Sequence, residues 1–75
     1  MPSLFETQVD SSAISRIAYD EERRALYVLF REGKAYTYHD VPVEEYVALT
    51  EADSKGRFVN EVIKPRYEVS EGAPI

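Results

Sequence analysis

Two tyrosines one residue apart, Tyr36-Thr37-Tyr38, stand near the middle of the 75-residue chain, followed at once by its single histidine, His39, and by Asp40. Aromatic rings presented on a sheet can stack nucleic-acid bases. A histidine beside a carboxylate is a possible general base. Further on, Lys55, Arg57, Lys64 and Arg66, close to Asn60 and Tyr67, form the one segment that could meet phosphates. Each of these signals has a plainer competitor. Catalysis needs a nucleophile, an orienting group and a pocket besides the His39-Asp40 pair, and a metal needs three or four ligands. Gly33, Gly56 and Gly72 fit no phosphate-cradling loop. The residues therefore predict no enzyme, no metal centre and no small-molecule cofactor.

The elements that must position these residues decide which of them point outward. Ala25–Asp40 reads as a β-hairpin, because Gly33 is the one glycine between two runs rich in β-branched and aromatic residues. A two-residue turn at Glu32-Gly33 would force Glu32 to positive φ and put Tyr36 and Tyr38 opposite Leu26, Val28 and Phe30. A three-residue turn, Arg31-Glu32-Gly33, places glycine at the left-handed position and pairs Phe30 with Lys34, Val28 with Tyr36 and Leu26 with Tyr38. All five large side chains then share one face, and a one-residue slip would split them. The three-residue turn is expected. It makes Tyr36 and Tyr38 core residues before stacking residues, with any hydroxyl reaching a polar edge. The opposite face carries Tyr27, Leu29, Ala35, Thr37 and His39, an apolar and aromatic patch suited to a contact surface.

Around the hairpin the pattern predicts an α+β domain: a three-stranded antiparallel β-meander with two C-terminal α-helices packed on one face. The first strand is Ala13–Tyr19, with Ile17 and Tyr19 alternating inward and Ile14 out of phase, which calls for a bulge or a bent start. Asp20–Arg24 is a polar loop opened by a turn-favouring aspartate. Pro42 suits the start of a helix, and Val43, Tyr46, Val47, Leu49 and Thr50 recur at helical spacing towards Ala52, with Glu44 and Glu45 on the positive end of the dipole. Asp53 or Ser54 can cap a second helix. Its apolar stripe is Phe58, Val59, Val62 and Ile63, its polar stripe Arg57, Asn60, Glu61 and Lys64, and Pro65 ends it. Tyr67 is the expected anchor onto the core. The domain is expected over residues 12–67, with 1–11 a mostly mobile arm that docks loosely through Leu4 and Phe5, and 68–75 a frayed tail.

Composition narrows the classes further. Seventy-five residues with 44% hydrophobic content support one small core. There is no cysteine, in keeping with a reducing, cytoplasmic setting. The opening MPSLFETQVD has neither the basic nor the apolar region of a signal peptide, and no run approaches a membrane span. Formal charge is −5, which argues against a general nucleic-acid binder. The balance is uneven: net −6 over residues 1–53, +3 over 54–67 and −2 over the tail.

The run from Ser12 to Tyr67 resembles the KTSC domain, named for the C-terminus of some lysyl-tRNA synthetases and found also in short stand-alone bacterial proteins. The resemblance rests on Ile14 and Tyr19-Asp20, on Leu26-Tyr27-Val28-Leu29-Phe30 ahead of Gly33, and on Tyr36-Thr37-Tyr38 with Asp40-Val41-Pro42. It continues through Tyr46 and Leu49, Ser54-Lys55-Gly56 with Phe58 and Asn60, then Ile63 and Tyr67. Glu32 departs from it, standing where Asn or another turn former is more usual. What the resemblance implies is a small α+β domain for which RNA binding has been suggested, with no family site residues to carry over.

Two functional expectations follow. The leading one is a non-enzymatic interaction module that forms a homodimer or docks on a protein partner through Tyr27, Leu29, Thr37 and His39. The other is a weak RNA or tRNA binder using Lys55, Arg57, Asn60, Lys64 and Arg66. Neither involves a membrane.

Overall fold

The computed structural model describes the backbone of residues 4–8 and the whole of residues 13–75. The α+β class holds, and the meander is longer than the sequence indicates. Strands β1 (Leu4–Gln8), β2 (Ile14–Asp20), β3 (Ala25–Phe30), β4 (Ala35–Tyr38) and β5 (Val69–Glu71) form one sheet in chain order, every neighbouring pair antiparallel. The three expected strands are its centre.

Hairpin register is the one the turn chemistry demands. Val28 faces Tyr36 and Leu26 faces Tyr38. The Phe30 amide donates to the Lys34 carbonyl at 2.8 Å and the Gly33 amide to the Phe30 carbonyl at 2.9 Å, with Gly33 at φ 101°. That φ suits glycine because no Cβ crowds the neighbouring carbonyl. In β2 the register shifts between Ile14 and Arg16, a bulge that returns Ile14 to the inner face. Ile14 is accordingly fully buried with Ile17 and Tyr19.

Helix α1 (Val43–Glu51) starts after Pro42, which takes the N-cap position with no side-chain cap, and has Glu44 and Glu45 in its first turn. Ser54 caps the next helix, its hydroxyl accepting from the Arg57 amide at 3.3 Å. That helix begins as α2 (Lys55–Phe58) and runs on without a break into a π-helical turn over Val59–Ile63. The Lys64 amide reaches back five residues to the Val59 carbonyl at 2.7 Å. Both helices cover the inner face of the sheet. Tyr46, Leu49, Val59 and Ile63 pack there against Ile17, Tyr19, Leu26, Val28 and Tyr38. Tyr19 stacks on Tyr46 with ring centroids 5.4 Å apart, and its hydroxyl donates to the Val41 carbonyl.

Two expectations about the ends change. Leu4–Gln8 is no free arm, for it pairs along five residues with β2. Residues 1–3 and 9–12, and any covering role for the Leu4 and Phe5 side chains, lie outside the described residues. The tail is not frayed either. The His39 amide donates to the Glu68 carbonyl at 2.9 Å and the Gly72 amide to the Ala35 carbonyl at 2.7 Å, so β5 extends the sheet beside β4. Beyond β5, Ala73 and Ile75 fold onto Ala18, Ala25 and Tyr27 of the outer face.

Candidate functional site

Tyr36 and Phe30 flank the hairpin turn and meet edge to face, ring centroids 5.7 Å apart. Two residues further from the turn, Tyr38 is 4% exposed and closes the core, whereas Tyr36 and Phe30 are half-buried. The difference comes from how far the helices reach. They cover the Tyr38 end of the hairpin and leave its turn end open. Between the strands and the π-helical turn lies a cleft of about 300 Å³, with Phe30, Tyr36 and Tyr38 on the sheet side. Asn60 and Lys64 line it from the helix, Glu32 from the turn and Val69 from β5. Val69 is 48% exposed, one of the two exposed large apolar side chains among the described residues.

The polar groups around these rings are uncommitted. No side-chain hydrogen bond or ion pair holds Glu32, Asn60 or Lys64 among the described residues. Burial pushes the Tyr38 phenol above its ordinary value, and the neighbouring Tyr36 hydroxyl adds to the shift. Tyr38 therefore stays protonated near neutrality. The cleft as a whole offers a flat apolar wall, an amide that both donates and accepts, a cation and an acceptor-only carboxylate. That is equipment for holding a planar polar molecule. It contains no aligned nucleophile and base.

Of the five basic-segment candidates, the structure brings only Asn60 and Lys64 together. Lys55 Nζ donates to the Ala52 carbonyl at 2.9 Å, tying the end of α1 to the start of α2. Arg57 pairs with Glu61 at 3.5 Å on the other flank of the helix, as its i,i+4 spacing predicts. Arg66 reaches Glu45 at 3.1 Å, and the same carboxylate oxygen accepts from the Tyr67 hydroxyl at 3.0 Å. Tyr67 is thus the anchor expected of it, fixing the chain after the helix onto α1. Burial first, and the bond to Glu45 second, raise its pKa.

The sheet-face candidates need correcting on one point: that face is partly covered, at Tyr27 above all. Tyr27 is 6% exposed, covered by Ala73 and Ile75. The Thr37 hydroxyl donates to the Gly72 carbonyl at 2.7 Å, and His39 Nε2 lies 2.8 Å from Ser70 Oγ. Leu29 is half-buried. The physical reason is the tail, whose backbone finds partners along β4 and whose last apolar groups then lie over the outer face. Phe30, Glu32, Tyr36, Tyr38 and Val69 are the cleft residues outside both site sets expected from the sequence. Alternation put Phe30 and Tyr36 on the inner face without saying how far the helices would cover them.

Known proteins agree with this architecture. The KTSC domain family profile matches residues 10–67. The chain belongs to the KTSC domain family. A protein of Tsukamurella paurometabola is 44% identical over 59 residues, spanning 79% of this chain and 88% of that one. An uncharacterized protein of Stutzerimonas stutzeri is likewise 44% identical over 59 residues, covering 83% of its length. The crystal structure of a KTSC domain protein from Yersinia pestis superimposes with a TM-score of 0.86 at 35% identity, over 95% of this chain and all of that one. Within this KTSC domain the profile match stops at Tyr67, so Val69 and the Ala73–Ile75 cover lie beyond the matched residues. Among the described residues no helix is long and apolar enough to cross a membrane.

Proposed function

We propose that this KTSC domain is a non-enzymatic module that binds single-stranded RNA weakly, taking one base into the cleft between the hairpin and the π-helical turn. The observation that carries this reading is the convergence of Tyr36 and Phe30 with Lys64 and Asn60 on one cleft of about 300 Å³. Stacking on an aromatic side chain contributes about 1–3 kcal/mol per base. One lysine adds a single phosphate contact. Together these support a dissociation constant on the order of 1 mM at the tightest, with acidic surroundings working against anything tighter. A π-helical turn at the rim fits a binding role, since such turns recur at functional sites. An RNA ligand and the absence of cysteine both suit a cytoplasmic setting.

Docking of a protein or a second copy on Tyr27, Leu29, Thr37 and His39 ranks below this reading. Such a partner would first have to displace Ala73 and Ile75. The deciding experiment titrates a labelled single-stranded pentaribonucleotide at several salt concentrations. Binding with a log–log salt slope of about −0.7, the value for one phosphate, supports the cleft. Removing Lys64 as Lys64→Ala should flatten that slope, and Tyr36→Ala should abolish binding. A slope of several units would mean a basic surface elsewhere, and no binding at low salt would refute the RNA reading.

A further inference from the structure

The cleft holds a second kind of information, in the acceptor-only group at its rim. Glu32 is exposed on the hairpin turn, lines the cleft beside Phe30 and Tyr36, and has no side-chain partner among the described residues. A carboxylate in an RNA-binding cleft repels phosphate, so on electrostatic grounds it is out of place there. It becomes useful only if the ligand turns a hydrogen-bond donor edge towards it. Asn60, on the facing helix, can donate or accept.

Resting on the RNA reading above, we propose that the base held in the cleft is guanine, its Watson–Crick edge read by Glu32 and Asn60 while Lys64 holds the phosphate. Guanine alone among the four bases presents two adjacent donors on that edge, N1–H and the N2 amino group, which match the two oxygens of one carboxylate. Its O6 lies next to them and accepts from the Asn60 amide. Adenine sets one amino donor beside the N1 lone pair, and cytosine sets one beside the N3 lone pair. Uracil flanks its single N–H with two carbonyls. Each of these three turns at least one acceptor lone pair towards the carboxylate. The volume fits the same choice: about 300 Å³ is at the small end of ligand sites, room for one ring system and not for a stack of bases. Lys64 and Glu32 come from different elements, so a single nucleotide can satisfy both charges at once.

The test uses four pentaribonucleotides, UUGUU, UUAUU, UUCUU and UUUUU, with guanosine and uridine 5′-monophosphates alongside, followed by nuclear magnetic resonance titration of the full chain. UUGUU should bind about tenfold more tightly than UUUUU, the scale of one good bidentate contact. In Glu32→Gln the preference for guanine over adenine should collapse, because a glutamine amide pairs a donor and an acceptor as adenine does, while Phe30 and Tyr36 still stack. Equal binding of all four pentamers would overturn the guanine assignment and leave the RNA reading standing. Guanosine monophosphate binding as tightly as UUGUU would keep the guanine assignment and make the ligand a free nucleotide instead of RNA. Failure of every probe to bind would overturn both.

Discussion

Lys64 and Arg66 stand two residues apart and carry the same charge, yet they serve different ends. Arg66 holds Glu45 at 3.1 Å and helps to fasten the chain after the helix, whereas Lys64 stands at the cleft without a side-chain partner among the described residues. Replacing Arg66 by Ala should leave RNA affinity unchanged and cost about 0–1 kcal/mol, the range for exposed ion pairs. Replacing Lys64 by Ala should do the reverse, lowering affinity while the urea midpoint stays put. Equal loss of binding in both variants would contradict the division. Asp20 offers a residue-level test of the fold. Its Oδ1 accepts from the Glu22 and Arg23 amides at 3.1 and 3.2 Å, closing the β2–β3 loop. Asp20→Ala should cost about 1 kcal/mol in urea unfolding. Single residues of this kind were legible in the chain wherever chemistry singles them out: the turn aspartate, Gly33, the Ser54 cap, the Tyr67 anchor. The uncommitted state of Glu32 was not, because whether a surface carboxylate finds a cation depends on its neighbours in space.

Among the elements, the hairpin, both helix positions and the β2 bulge follow from periodicity and turn chemistry. Strand β5 does not. Val69-Ser70-Glu71 has one apolar residue and all three are exposed, so no alternation marks it. It forms because β4 would otherwise present an unpaired edge, and the backbone of the tail satisfies it. The π-helical turn was equally hidden, since apolar residues four apart read alike in an α-helix and in one turn of a π-helix. Both hidden elements border the cleft, which is why the sequence did not mark it as a candidate site. The tail can be tested directly. Deleting residues 73–75 exposes Tyr27, and the variant should unfold at lower urea and begin to self-associate in gel filtration with light scattering. The full chain should run as a monomer. A full-length dimer that Leu29→Glu dissolves would restore the sheet face as the contact surface.

At the scale of the whole molecule, tyrosine is the residue that ties stability to pH. Tyr19, Tyr38 and Tyr67 all have pKa values raised above 10.0, each chiefly by burial. Well below pH 10 they are neutral folded or unfolded, and their titration adds no pH dependence to stability. As pH rises past 10 the unfolded chain releases these protons first, so stability falls until pH passes the folded values. Tyr19 and Tyr38, the two buried ones, should each steepen the loss by up to about 1.4 kcal/mol per pH unit. Urea unfolding at stepped alkaline pH checks this, and part of the tyrosinate absorbance should appear only above pH 10, from the rings whose values burial raises. Stability that stays flat as pH rises past 10 would contradict the raised values. Net charge −5 acts at the same scale: on the proposed RNA reading it should keep affinity low and make it depend on the local cation at the cleft.

The most direct test of the central claim is a chemical-shift map of the labelled full chain titrated with UUGUU at low salt. The cleft account predicts that the largest shifts fall on Phe30, Glu32, Tyr36, Asn60, Lys64 and Val69, with Tyr27, Leu29 and Ala73 unmoved. Shifts centred on Tyr27, Leu29 and Ala73, or spread over Lys55, Arg57 and Arg66 without the cleft, would contradict it.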